Sequence, residues 1–142
     1  MSLEGQKKAS LLLRVFAKIL DFIIIAVMAE VVPRAGFYAG LFYILISDGL
    51  FNGRSLGKYL MGIRTVSLKD GQPCSIRDSV IRNSPFGVGL ILYKIPLIGW
   101  IFLIIIVAFE FIVLLGSKDG MRLGDEFANT MVTELEIDKT NA

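Results

Sequence analysis

The 142-residue chain carries a formal charge of +2, is 54% hydrophobic and has a mean hydropathy of +0.66. A water-soluble domain of this size has too much surface for its volume to hide so much apolar area, so a bilayer is the expected solvent. The chain has no histidine and one cysteine, Cys74, which excludes imidazole proton relays and an intrachain disulfide framework. Any cation site must then use carboxylates, hydroxyls and carbonyls, a chemistry suited to hard ions such as Na⁺.

Residues 1–10 read as a polar tail and residues 11–132 as one transmembrane domain, with a polar tail at 133–142. The first apolar run, 11–32, is long enough to span a hydrocarbon core of about 30 Å. It contains Arg14, Lys18 and Asp21, which argues for a retained membrane helix rather than a secretory signal. A tight turn at Pro33-Arg34-Ala35-Gly36 leads into a shorter second span, 37–51. A basic loop follows to Asn83 with Arg54, Lys58, Arg64, Lys69, Arg77 and Arg82. Its positive charge, with Lys7 and Lys8 in the tail, predicts that both face the cytoplasm and meet anionic lipid head groups. Ile63–Leu68 is strand-like, Ser75–Arg82 suits a short surface helix, and Ser84-Pro85 suits the start of another.

The remaining apolar sequence is read as two spans, 84–95 and 96–116, broken at Lys94-Ile95-Pro96, or alternatively as one kinked span. An internal echo favours two. Gly53-Arg54-Ser55-Leu56-Gly57-Lys58 recurs as Gly120-Met121-Arg122-Leu123-Gly124-Asp125, and each copy precedes a β-prone stretch, Ile63–Leu68 and Thr130–Ile137. Arg14 precedes the first copy, and Arg82 the second, by nearly the same spacing. The predicted fold is thus an all-α membrane bundle of about four spanning or half-spanning helices in two hairpins, with a β-prone loop and a C-terminal strand. Three spans would put the two motifs on opposite faces.

The chemistry-bearing candidates are the intramembrane charges. Arg14, Lys18 and Asp21 share one helical face, and Asp21 lies roughly 15 Å deeper than Leu11 at 1.5 Å per residue. A charge at that depth costs roughly 2.5–3.5 kcal/mol unless paired or hydrated. Asp21 is therefore expected to face a basic residue or a wet pocket, as a proton or cation site or as half of a structural ion pair. Asp48 is expected at the hydrated interface. Glu110 sits inside the last span, where it could approach Lys18 or Asp21. Lys58 and Asp125 occupy equivalent motif positions and, if the halves pack about a pseudo-twofold axis, are expected to meet, with Arg122 beside them; otherwise each is an independent end-cap in the loop after a span.

Arg14, Asp21, Ser55-Leu56-Gly57-Lys58-Tyr59-Leu60-Met61-Gly62 and Arg122-Leu123-Gly124-Asp125-Glu126-Phe127-Ala128-Asn129-Thr130-Met131-Val132 together resemble the RDD family of bacterial membrane proteins. The resemblance implies that Arg14 is the family arginine and that Asp21 and Asp125 are its two aspartates. Asn129 departs from the pattern, which usually has glycine there. The resemblance also implies a multi-pass protein of the bacterial inner membrane. Transport of a small ligand, or sodium–proton antiport, has been attributed to members. Two functional expectations follow: a homo-oligomeric transporter of Na⁺, H⁺ or a small ligand, or a scaffold that binds a protein partner and whose buried charges are structural. No nucleophile–base pair, phosphate loop or cofactor motif points to an enzyme, and nothing points to nucleic acid.

Overall fold

The computed structural model describes residues 6–32 and 34–135. Four longer helices carry the fold: α1 (Leu11–Val31), α2 (Gly36–Ile46), α4 (Ile76–Tyr93) and α5 (Gly99–Gly116). Two short helices, α3 (Leu56–Leu60) and α6 (Leu123–Ala128), precede two short strands, β1 (Ile63–Ser67) and β2 (Thr130–Glu134). A 3₁₀ turn at Ser47–Gly49 closes α2. Helices pack in the order α1, α2, α4, α5, with α3 against α1 and α6 against α4. Of these, α5 alone is both long and apolar enough to cross a bilayer by length and composition.

Serines set three of the helix starts. The Ser10, Ser55 and Ser75 hydroxyls accept from the free N–H groups of Leu13, Lys58 and Asp78, satisfying donors that the first helical turn leaves open. The Ser75 start corrects an expectation. Ser75–Arg82 and the segment after Pro85 form one helix, with Pro85 inside it. Proline removes a helical N–H and so leaves the carbonyl four residues earlier without its usual partner. Here that carbonyl belongs to Ile81, and the Ser84 hydroxyl donates to it at 2.7 Å. The third helix therefore begins at Ile76, not at residue 84, and ends at Tyr93 before the expected break.

Strands β1 and β2 pair antiparallel, Ile63 opposite Glu134 and Ser67 opposite Thr130, with Thr65 and Val132 at the centre. Chain entry joins them: the Ala9 N–H donates to the Val132 carbonyl at 3.0 Å, and Lys8 bridges Thr133. Thr133 and Glu134 thus belong to the ladder rather than to a polar tail. The rest of the expected strand and tail, from residue 136, lies outside the described residues. The ladder, α3, α6, the start of α1 and the start of α4 gather at one end of the bundle. The α1–α2 and α4–α5 turns lie at the other.

The distribution of polarity is inverted relative to a water-soluble domain. Large apolar side chains are exposed along α1 (Phe16, Ile23, Val27) and α5 (Ile104, Phe109, Ile112). Buried polar and charged side chains outnumber buried apolar ones among the described residues. Such a surface exceeds what a monomer exposes to water, and hydrocarbon is the solvent it suits. The apolar packing that remains, around Ile25, Ile44, Phe86 and Leu90, lies between α1, α2 and α4.

Candidate functional site: a buried charge network beside a basic cavity

At the ladder end, two carboxylates organise the buried cations. Asp125, on α6, accepts from Arg14 Nη2 at 2.7 Å and lies 2.6 Å from Arg82 Nη2 and 3.3 Å from Arg122 Nη2. Its second role is local, since the Arg122 N–H donates to the same carboxylate and opens α6. Arg14 also donates from Nη1 to the Gly120 carbonyl. Burial by itself would raise the Asp125 pKa, but Arg82, Arg122 and Arg14 outweigh it and hold the carboxyl well below the usual range.

Asp48 is fully buried in the 3₁₀ turn. It accepts from Lys58 Nζ at 2.6 Å and Asn83 Nδ2 at 3.2 Å, and lies 3.2 Å from Arg82 Nε. The expectation of a hydrated interfacial Asp48 is thus overturned. The helix before it stops at Ile46, and the tight turn folds the carboxylate inward under α4 instead of letting it run out to the surface. Lys58 also donates to Thr65 Oγ1 at 2.8 Å. Burial foremost, then Arg82, lowers the Lys58 ammonium to about 7 against the pull of Asp48. Of the two alternatives for Lys58 and Asp125, the direct pair is not formed: the lysine takes Asp48 and the aspartate takes arginines. Arg82, fully buried, bridges the two carboxylates. Burial likewise removes Lys58 and Arg82 from the set of loop residues expected to meet lipid head groups.

Asp21 is organised differently. It accepts from the Ser55 hydroxyl at 2.6 Å, the Tyr43 hydroxyl at 2.8 Å and the Gly57 N–H at 3.0 Å. No salt bridge reaches it among the described residues, so the expected basic partner is replaced by hydroxyl and backbone donors. Its effect is to fasten the start of α3 onto α1.

A cavity of about 170 Å³ opens beside this network. Arg14, Lys18, Lys58, Arg82 and Arg122 line it, with Glu110 as the one carboxylate and Phe22, Phe86, Val107 and Phe111 as apolar wall. Asp21 does not line it. Lys18 donates to Asn83 Oδ1 at 3.2 Å and sits 4.9 Å from the Phe86 ring centre, with no carboxylate in salt-bridge range among the described residues. Glu110 is 2% exposed, and its carboxylate is approached by the Gly124 N–H but makes no hydrogen bond of normal geometry among the described residues. Glu110 and Lys18 thus share a cavity without bonding to each other.

Arg82, Asn83, Ser55, Tyr43 and Thr65 were not among the residues expected at the site. The one sequence signal for Arg82 was its spacing before the second motif, matching that of Arg14 before the first. Asn129, the departure from the family pattern, ends α6 with φ 54°. This is the left-handed conformation that glycine adopts freely and asparagine tolerates.

Comparison with known proteins agrees with the motif reading. No curated protein and no solved structure matched. A family model, the RDD family, matches residues 31–129. That stretch holds Asp48, Lys58, Arg82, Glu110, Arg122 and Asp125, while Arg14, Lys18 and Asp21 precede it. With more than half of its length matched, and a polar interior inside an apolar exterior, the chain belongs to the RDD family of membrane proteins.

Proposed function

We propose that the protein is a non-enzymatic, transporter-type membrane protein that takes an anionic ligand into the basic cavity. One observation carries this reading: five basic side chains and one carboxylate line the cavity. Asp48 and Asp125 neutralise part of that charge, yet among the described residues Lys18 has no carboxylate in salt-bridge range. Na⁺ or H⁺ would meet a repulsive lining there, and Asp21, the natural cation ligand, does not line the cavity and already has three donors on it.

The membrane topology proposed with it is four crossings in two hairpins, with the tail, the 51–83 loop and the ladder cytoplasmic. The antiparallel ladder supports it, because an odd number of crossings between β1 and β2 would separate the strands. A repeated half supports it too. Thr65 and Val132, which face each other at the ladder centre, occupy matching positions after the two G-x-x-L-G motifs, as a local two-fold axis requires. Crossing by a helix as short as α2, about 16 Å at 1.5 Å per residue, requires local thinning of the bilayer or a part-inserted hairpin.

The second reading, a scaffold with a protein partner, draws on the complete engagement of Asp21, Asp48 and Asp125, which locks helices together. Flux measurements on proteoliposomes separate the readings. Movement of glycerol phosphate or inorganic phosphate that Lys18→Gln abolishes supports the anion site. Na⁺ or H⁺ movement that Asp21→Asn abolishes, without anion movement, supports a cation transporter. Flux equal to empty vesicles for all of them favours the scaffold.

A further inference from the structure

The cavity has a direction. Along α1 its lining passes from Arg14 and Lys18 to Ile19 and Phe22, that is, from cations at the ladder end to apolar residues about 12 Å further along the helix. The side wall is formed by α1 and α5, which pack on other helices rather than closely on each other. Ile19 and Phe111, both lining residues, are 47% and 43% exposed, so the gap between the two helices opens sideways, toward hydrocarbon rather than toward water. Basic at the ladder end, apolar along its length and open at the side, the cleft repeats the order of charge and hydrocarbon in one leaflet of a bilayer.

We propose that this cleft binds a single anionic phospholipid with a hydroxyl-bearing head group. The phosphate sits against Lys18, Arg122 and Arg82, and the acyl chains leave between Ile19 and Phe111. The inference rests on the anionic-ligand reading above and narrows it to a lipid. Three features select this ligand. A cavity of about 170 Å³ has room for a phosphate and a glycerol, and its open side gives acyl chains a way out. Lys18 is a cationic donor with capacity left for a phosphate, since among the described residues it meets one neutral acceptor. Glu110, buried in the same cavity and met only loosely by the Gly124 N–H among the described residues, keeps acceptor capacity that a bare phosphate cannot satisfy and a head-group hydroxyl can.

The test uses the full chain, delipidated in a non-ionic detergent. It is titrated with dioctanoyl phosphatidylglycerol, dioctanoyl phosphatidylcholine and glycerol phosphate, with binding read by native mass spectrometry and by thermal shift. Phosphatidylglycerol is expected to bind at least tenfold more tightly than phosphatidylcholine. Lys18→Gln should weaken phosphatidylglycerol at least tenfold, because its phosphate loses a cationic donor. Ile19→Trp, which narrows the mouth without touching the charges, should weaken phosphatidylglycerol about tenfold and glycerol phosphate not at all, and it serves as the test if Lys18→Gln does not fold. Equal affinity for the two lipids overturns the proposal. Glycerol phosphate that matches the affinity of phosphatidylglycerol overturns the lipid but leaves the anion site standing. Failure of both anions to bind overturns the two readings together. A dimer that closes the cleft on delipidation and excludes phosphatidylglycerol assigns the cleft to a second copy of the chain instead.

Discussion

Gly57 and Gly124 press their backbones onto neighbouring helices in the same manner: a Cβ at Gly57 would collide with the Ala17 carbonyl, and one at Gly124 with the Arg82 carbonyl. Both obstacles are backbone, which cannot rotate away as a side chain could. Gly57→Ala and Gly124→Ala are each expected to destabilise the protein by about 1–3 kcal/mol or more. Thermal denaturation in detergent checks this. Gly62→Ala has open space in front of its Cβ but a φ of 66°, so its smaller loss would come from backbone strain alone.

Asp125 gathers three arginines, two of them from helices distant in sequence. Its replacement by asparagine leaves buried guanidinium groups uncompensated, a loss on the order of 3–5 kcal/mol. The expected outcome of Asp125→Asn is a sharp fall in folded yield. Asp125→Asn combined with Arg14→Gln should recover part of it, because one of the stranded charges is then gone.

Asp21→Asn tests whether this residue fastens helices or serves a ligand. The amide keeps one acceptor oxygen but turns an NH₂ group toward the hydroxyl or backbone donors that the carboxylate accepted. A loss of about 1–3 kcal/mol in stability is expected, with ligand affinity in the cavity unchanged. Weaker ligand binding at unchanged melting temperature would contradict the fastening role.

The lowered Lys58 pKa sets a pH dependence of defined sign. The folded ammonium loses its proton near 7, whereas the unfolded one holds it to 10.5, so between these values the unfolded chain binds more protons. Stability therefore rises with pH across that window, by up to about 1.4 kcal/mol per pH unit for one full proton. Lys58→Met should flatten the slope, measured as denaturant midpoint against pH from 7 to 10. An unchanged slope would assign the titration to another group.

Single cysteines report topology. In a Cys74→Ser background, Arg34→Cys, at the turn between α1 and α2, is expected to react with a membrane-impermeant maleimide in intact cells. Glu126→Cys, exposed on α6 at the ladder end, is expected to react only after lysis. Labelling of both from outside would overturn the two-hairpin arrangement.

Much of this architecture is legible in local sequence. The first helix, the break at Lys94-Ile95-Pro96 and the strand after each G-x-x-L-G motif follow from apolar run length, proline and residue alternation, all of which act over a few neighbours. The charge network is less legible because its distances are spatial. Depth counted along the sequence put Asp48 at the water interface, since nothing in its neighbourhood shows that the turn bends beneath α4. Arg82 read as one of several loop cations, although it joins Asp48 to Asp125. Pro85 read as a helix start because Ser84-Pro85 fits one; the Ser84 hydroxyl instead compensates for the missing bond.

The β1–β2 ladder ties the two hairpins together at one end only, where the chain entry and the charge network also meet. The far turns are held more lightly, by the Lys94 ammonium 4.2 Å from the centre of the Phe37 ring. A structure fastened in this way has a fulcrum. Any widening between α1 and α5 would pivot about the ladder, so the cationic floor keeps its geometry while the apolar mouth changes width.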